Sequence, residues 1–143
     1  MLFRKCYPEH LLLIEAQAVQ RRQFSSSLGM QLGALKEGEA YSGWHDNRCL
    51  MAGGVYPKWR GVASGWTVLS DEALAKHMIA ITRKTRQVVR DSEYRRVEMY
   101  VAVDHEAGHR WAQALGFTLE AERMRGYDPD GRDMAMYAYV RGK

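Results

Sequence analysis

Apolar positions alternate singly in some stretches of the chain and recur at helical spacing in others. LFRKCY reads as a short first strand, after which Pro8 suits the first turn of a helix carrying Leu11, Leu12, Ile14, Ala18 and Val19. A second helical piece, interrupted by glycine, is expected over SSSLGMQLGALKEG, residues 25–38. From Ala40 the pattern changes to strands. AYSGWHD and CLMAGGVYP, separated by a turn at Asn47 and Arg48, predict a hairpin, and SGWTVLS follows as a third strand. Ser70 offers an N-cap to one helix in which Leu74, Met78, Ile81 and Val88 recur until about Arg90. VEMYVAV is the clearest strand, with Val97, Met99, Val101 and Val103 alternating against Glu98, Tyr100 and Ala102. A helix from about Glu106 to Leu115 comes next. TLEAERMRGY, a turn at DPDGRD, and MAMYAYV then read as a closing hairpin.

This order predicts one mixed α/β domain over residues 1–143, since no repeat or linker divides the chain. At 143 residues it can bury roughly two thirds of its unfolded surface without a disulfide or metal. Its two cysteines, Cys6 and Cys49, lie in apolar strand-like runs, which points to buried thiols and a reducing cytoplasm. The apolar run after LFRKCYPEH is too brief for a membrane span, and no small-residue cleavage site follows it. A net charge of +4 implies mild attraction to phosphates or acidic partners. No nucleic-acid-binding signature accompanies it, so neither nucleic acid nor membrane is an expected partner.

HEAGH, residues 105–109, matches the zinc-hydrolase pattern H-E-x-x-H, in which two histidines on one helical face hold the metal and the glutamate activates its water. Its placement disfavours that chemistry. His105 falls at the junction of a strand and a helix, where it caps the helix and points away from the face of His109, and no third histidine follows at metzincin spacing. No metal site is expected, and the zinc hydrolase stands as a remote alternative.

The element order, together with VEMYVAVDHEAGHRWAQALGFTLEAERMRGY, resembles the GNAT acetyltransferase superfamily, in which a strand, a helix and the dipeptide GF form a signature. WTVLSDEALAKHMIAITRKTR and RWAQALGF are similar to GNAT-like proteins of tailed phages and prophages. The resemblance implies a single GNAT-like α/β domain: a mixed, mostly antiparallel sheet, with splayed central parallel strands, flanked by helices. Residues 66–69 and 99–103 would lie in those two strands and diverge toward Ser70 and Asp104. It also implies acetyl-CoA as co-substrate, its pantetheine arm lying between the strands like an added strand.

On this resemblance the thioester oxygen would meet a backbone N–H near Val68 or Leu69. The diphosphate would lie at the start of the following helix, near Ser70, Lys76 and His77. There the family carries a glycine-rich Q/R-x-x-G-x-G/A loop, whereas this chain has SDEALAKH, with Asp71 and Glu72 where anions should be attracted. The family's usual acid, a tyrosine before GF, is replaced by Ala112; Trp111 beside it reads as core. Candidate proton-transfer groups are Glu98, His105 and Tyr127, and Trp44, Tyr56 and Trp66 are candidates for an acceptor pocket.

Two functions follow. One is an acyl-CoA-dependent N-acetyltransferase with a degenerate diphosphate loop, acting on a small-molecule or protein amine. The other is a GNAT-fold phage or prophage protein without catalysis that binds a phage or host protein in the host cytoplasm. A homodimer is expected by analogy with the fold.

Overall fold

The computed structural model describes residues 1–14 and 39–142. In chain order its elements are β1 (Leu2–Lys5), α1 (Pro8–Leu13), β2 (Glu39–His45), β3 (Arg48–Trp59), β4 (Val62–Leu69), α2 (Asp71–Lys76), α3 (Met78–Asp91), β5 (Arg96–Ala102), α4 (Glu106–Ala114), β6 (Thr118–Met124) and β7 (Met134–Val140). The strands form one sheet in the order β1-β2-β3-β4-β5-β7-β6. Every neighbouring pair is antiparallel except β4 and β5. That one parallel pair needs a crossover, which α2 and α3 supply. The expected continuation of α1 through Ala18 and Val19, and the helical piece at 25–38, lie outside the described residues.

Local chemistry accounts for the boundaries. Pro8 opens α1, and the ring of His10 accepts the Tyr7 N–H at 3.1 Å. The β2–β3 turn falls on Asp46 and Asn47 rather than on Asn47 and Arg48, with φ of 51° and 60°. Asp and Asn tolerate this left-handed pair, which leaves Arg48 to begin β3. The helix expected from Ser70 to Arg90 is two helices broken at His77, whose φ of −127° and ψ of 10° are not helical. Leu74 and Met78 pack on the same buried cluster from opposite sides of the break. Their spacing therefore reports a shared apolar stripe and not an unbroken backbone.

The alternation of the strands places the cores. Val55, Ala63, Val97, Val101 and Tyr137 meet residues of α3 and α4 on one face, and Ala52 and Val68 meet Leu11 of α1 on the other. Cys6 and Cys49 are in this second cluster. Burial pushes their thiols up to about 12 and about 11, so neither is a thiolate at neutral pH. Among the described residues no helix is long and apolar enough to cross a membrane.

Candidate active site

β4 and β5 run together only at Val62↔Arg96, Ala63↔Val97 and Ser64↔Glu98. Beyond Ser64, β4 stays paired with β3 as far as Leu69, and β5 stays paired with β7 as far as Ala102. Each strand follows its outer neighbour, and a gap opens between them toward Ser70. Residues 66–69 and 99–102 thus flank the gap in neighbouring parallel strands; of the expected 99–103, Val103 lies past the end of β5. A cavity of about 1080 Å³ fills it and is lined from both faces of the sheet, by Tyr56, Trp66 and Tyr100 on one and Val88, Trp111 and Phe117 on the other.

Ser70 N–H donates to the Leu50 carbonyl at 3.0 Å, and Arg96 N–H donates to the Gly61 carbonyl at 3.1 Å. The alternation of the ladder then turns the backbone of Val68 toward β3, and the backbones of Thr67 and Leu69 toward the gap. Of the two expected positions, Leu69 is the one whose main chain faces the cavity.

Two local arrangements define the wide end of the gap. The Ser70 hydroxyl accepts the Ala73 N–H at 3.1 Å, capping α2 with the protein's own oxygen. Arg48 holds Glu72 through paired bonds of 2.8 and 2.7 Å, which keeps that carboxyl below its usual range. The acidity expected of this helix start is therefore half compensated by a side chain from β3. Lys76 is exposed. The ring of His77 lies 4.8 Å from that of His45, and burial, followed by the charge of His45, lowers its basicity. His77 is thus neutral at pH 7 and adds no charge for a phosphate.

At the narrow end, Glu98 is buried on the same sheet face as Tyr100. It accepts from Lys58 Nζ at 2.7 Å, from Arg96 Nε at 2.7 Å and from the Tyr100 hydroxyl at 2.9 Å. Arg96 also bridges to Glu120 at 2.6 and 3.0 Å. Burial alone would raise the Glu98 carboxyl, but the three donors outweigh it and hold it at about 2. Burial likewise opposes the Lys58 charge, and the bonds to Glu98 and Tyr100 overcome it, so the ammonium titrates above its usual range.

Tyr127 lines the cavity and is half exposed, its ring stacked on Tyr100 with centroids 5.1 Å apart. The following turn is tied together by hydrogen bonds to Asp128. The buried Asp128 carboxylate accepts the N–H groups of Asp130 at 3.0 Å and Arg132 at 2.7 Å, and Arg132 Nε at 2.7 Å. Tyr56 and Trp66 line the cavity, whereas Trp44 does not. Its indole donates to Ser42 at 2.9 Å and packs edge-on against His10.

His105 stands at the N-cap of α4 and lines the cavity, with its basicity lowered first by burial and next by the neighbouring His109. Both ring nitrogens of His109 are engaged, Nε2 with the Val103 carbonyl at 2.9 Å and Nδ1 with the Tyr137 hydroxyl at 2.7 Å. A carbonyl can only accept, so Nε2 carries the proton and Nδ1 accepts from Tyr137. Neither nitrogen offers a lone pair to a metal in this arrangement. Trp111, expected in the core, packs there and donates its indole N–H to Thr82 at 2.9 Å.

Lys58, Arg96, Tyr100 and Arg48 were not marked by the sequence pattern. Tyr100 could have been found as the residue two beyond Glu98 on the same strand face. Arg96, two residues before Glu98 on that face, carries the same signal, whereas Arg48 and Lys58 carry none, since their partners lie 24 and 40 residues away.

Similarity to solved structures extends over nearly the whole chain. A ribosomal-protein-alanine N-acetyltransferase from Brucella melitensis superposes with a TM-score of 0.72 over 98% of this chain and 99% of its own, at 11% identity. An acetyltransferase of the GNAT family from Desulfovibrio desulfuricans gives 0.69 over 97% and 98%, at 16% identity. The fold is that of the GNAT acetyltransferases. A Salmonella typhimurium acetyltransferase with its cofactor acetyl-CoA shares this GNAT fold with a TM-score of 0.74, over 100% of this chain and 95% of its own, at 9% identity. No protein-family model and no curated protein sequence matches the chain.

Proposed function

We propose that the chain is an acyl-CoA-dependent N-acyltransferase that transfers an acetyl group to an amine. The observation that carries this reading is the gap between β4 and β5, where two strands leave room for an extended arm and turn the backbones of Thr67 and Leu69 toward it. Acetyl-CoA would supply a thioester there. A backbone N–H of Thr67 or Leu69 would meet the negative charge that develops on the thioester oxygen as the amine adds. His105, neutral at pH 7, is the candidate to take the proton from that amine, and Tyr127 is the candidate to return one to the leaving thiolate. Glu98 is too acidic to take a proton at neutral pH, so its proposed part is to hold cationic groups at the narrow end.

Hydrogen exchange with and without acetyl-CoA tests the reading. Slowed exchange over residues 65–69 and 99–102, with release of CoA in the presence of amines, is expected. Unchanged exchange in both strands at millimolar acetyl-CoA would remove it. A second reading, a binding protein of the same fold without turnover, is favoured by Ala112 at the position of the family's usual acid and by the self-capped start of α2. The phage and prophage resemblance would then make the partner a phage or host protein. Protection of the two strands without CoA release from any amine supports it.

A further inference from the structure

Lys58 lies at the end of β3 nearest the Arg60–Gly61 turn, and its side chain lines the cavity. Its ammonium is 2.7 Å from the Glu98 carboxylate and 3.0 Å from the Tyr100 hydroxyl, and lies 5.1 and 5.6 Å from the ring centroids of Trp59 and Tyr100. A carboxylate, a phenol oxygen and two aromatic faces are what a primary alkylammonium needs in order to leave water. The cluster also sits at a particular place, because Glu98 pairs with Ser64 on the last shared rung before the strands part. From Ser70 to Gly65 a strand spans roughly 17 Å at about 3.3 Å per residue. An extended pantetheine arm anchored near Ser70 would run toward this narrow end, with its thioester at Thr67 between the anchor and the cluster.

We propose that this cluster is the ammonium subsite of the acceptor, and that Lys58 fills it as an intramolecular plug which a primary alkylamine must displace. The assignment to the acceptor rests on the acyltransferase reading. Glu98 does not depend on Lys58 to stay ionised, because Arg96 donates to it separately and is itself fixed by Glu120. The Lys58 side chain is 25% exposed and its unbranched stem ends in a single hydrated charge, so it can swing into solvent without unpacking the strand. An acceptor with a flexible aliphatic amine reproduces both the stem and the head that the site already holds.

The experiment is a titration of the full chain with n-butylammonium, which copies the lysine side chain, with n-butanol as the uncharged control. Lys58→Ala is expected to bind n-butylammonium saturably and at least tenfold more tightly than the parent, with NMR shifts at Glu98 and Tyr100, and to show no such response to n-butanol. Lys58→Gln, which keeps a shorter uncharged stem, is titrated in parallel and decides the matter if Lys58→Ala does not fold. Equal affinity in parent and variant, or equal response to amine and alcohol, would overturn the proposal. Because no acyl-CoA is present, that failure leaves the acyltransferase reading standing. A failure to bind acetyl-CoA would likewise leave the amine site standing.

Discussion

Glu98 shows how a residue's surroundings set its role. Its carboxyl lies at about 2 in the fold against an ordinary 4.5, so the folded state releases the proton more readily than the unfolded chain does. Its contribution to stability is therefore complete above about pH 5 and is lost as the pH falls toward 2. On the order of 3 kcal/mol is at stake. Urea unfolding of the parent and of Glu98→Gln should show a gap at about pH 6.5 that narrows by about pH 3; a gap of constant size would contradict the ion-pair account. Gly108 is a second case. A Cβ there would come within 2.7 Å of both His105 Nδ1 and Val101 Cγ1. Gly108→Ala should cost about 1–3 kcal/mol, because the crowding outweighs alanine's better helix propensity. An increase in melting temperature would show that the helix start yields instead. The glycine in HEAGH thus serves the contact of α4 with β5.

At the scale of elements, the start of α2 combines a self-supplied cap with a charge pair reaching across from β3. Ser70→Ala should lower stability by about 1 kcal/mol through loss of the bond to the Ala73 N–H, measured by chemical denaturation. Glu72→Gln releases the Arg48 guanidinium beside the wide end of the gap. Calorimetry should then find acetyl-CoA binding severalfold tighter in this variant, with a steeper loss on adding salt. Unchanged affinity together with unchanged salt dependence would place the phosphates away from α2. The break at His77 belongs to the same scale, since it gives α2 and α3 separate axes while both keep an apolar side on one cluster.

For the molecule as a whole, the decisive feature is that the sheet is continuous on both flanks and open in the middle. Gly65 stands where the opening begins and lines the cavity, and a Cβ there would meet nothing closer than 3.7 Å. Gly65→Leu should therefore fold with a stability change below about 1.5 kcal/mol while its side chain enters the cleft. Acetyl-CoA affinity is expected to fall at least tenfold, with an unaltered circular dichroism spectrum. Undiminished affinity in a folded variant would mean that the gap is not where the arm lies.

The alternation of apolar residues determined the strands, since a half-buried sheet requires a period of two, and the closing hairpin, β5 and α4 lie where that pattern puts them. The helix between β4 and β5 also determined their parallel pairing, because no short turn can connect parallel strands. Glu98, His105, Tyr56, Trp66 and Tyr127 were legible as candidates from residue type and position, and all but Glu98 line the cavity. Tertiary structure alone decided what these groups can do. The acidity of Glu98 depends on Lys58, brought from β3, as well as on Arg96 and Tyr100 of its own strand, and the neutralisation of Glu72 comes from Arg48 on another strand. The exclusion of Trp44 from the cavity comes from α1 packing beside β2. Spacing along a chain records which face a side chain occupies; charge and hydrogen bonding depend on which distant residue shares that face, and only the assembled sheet settles that.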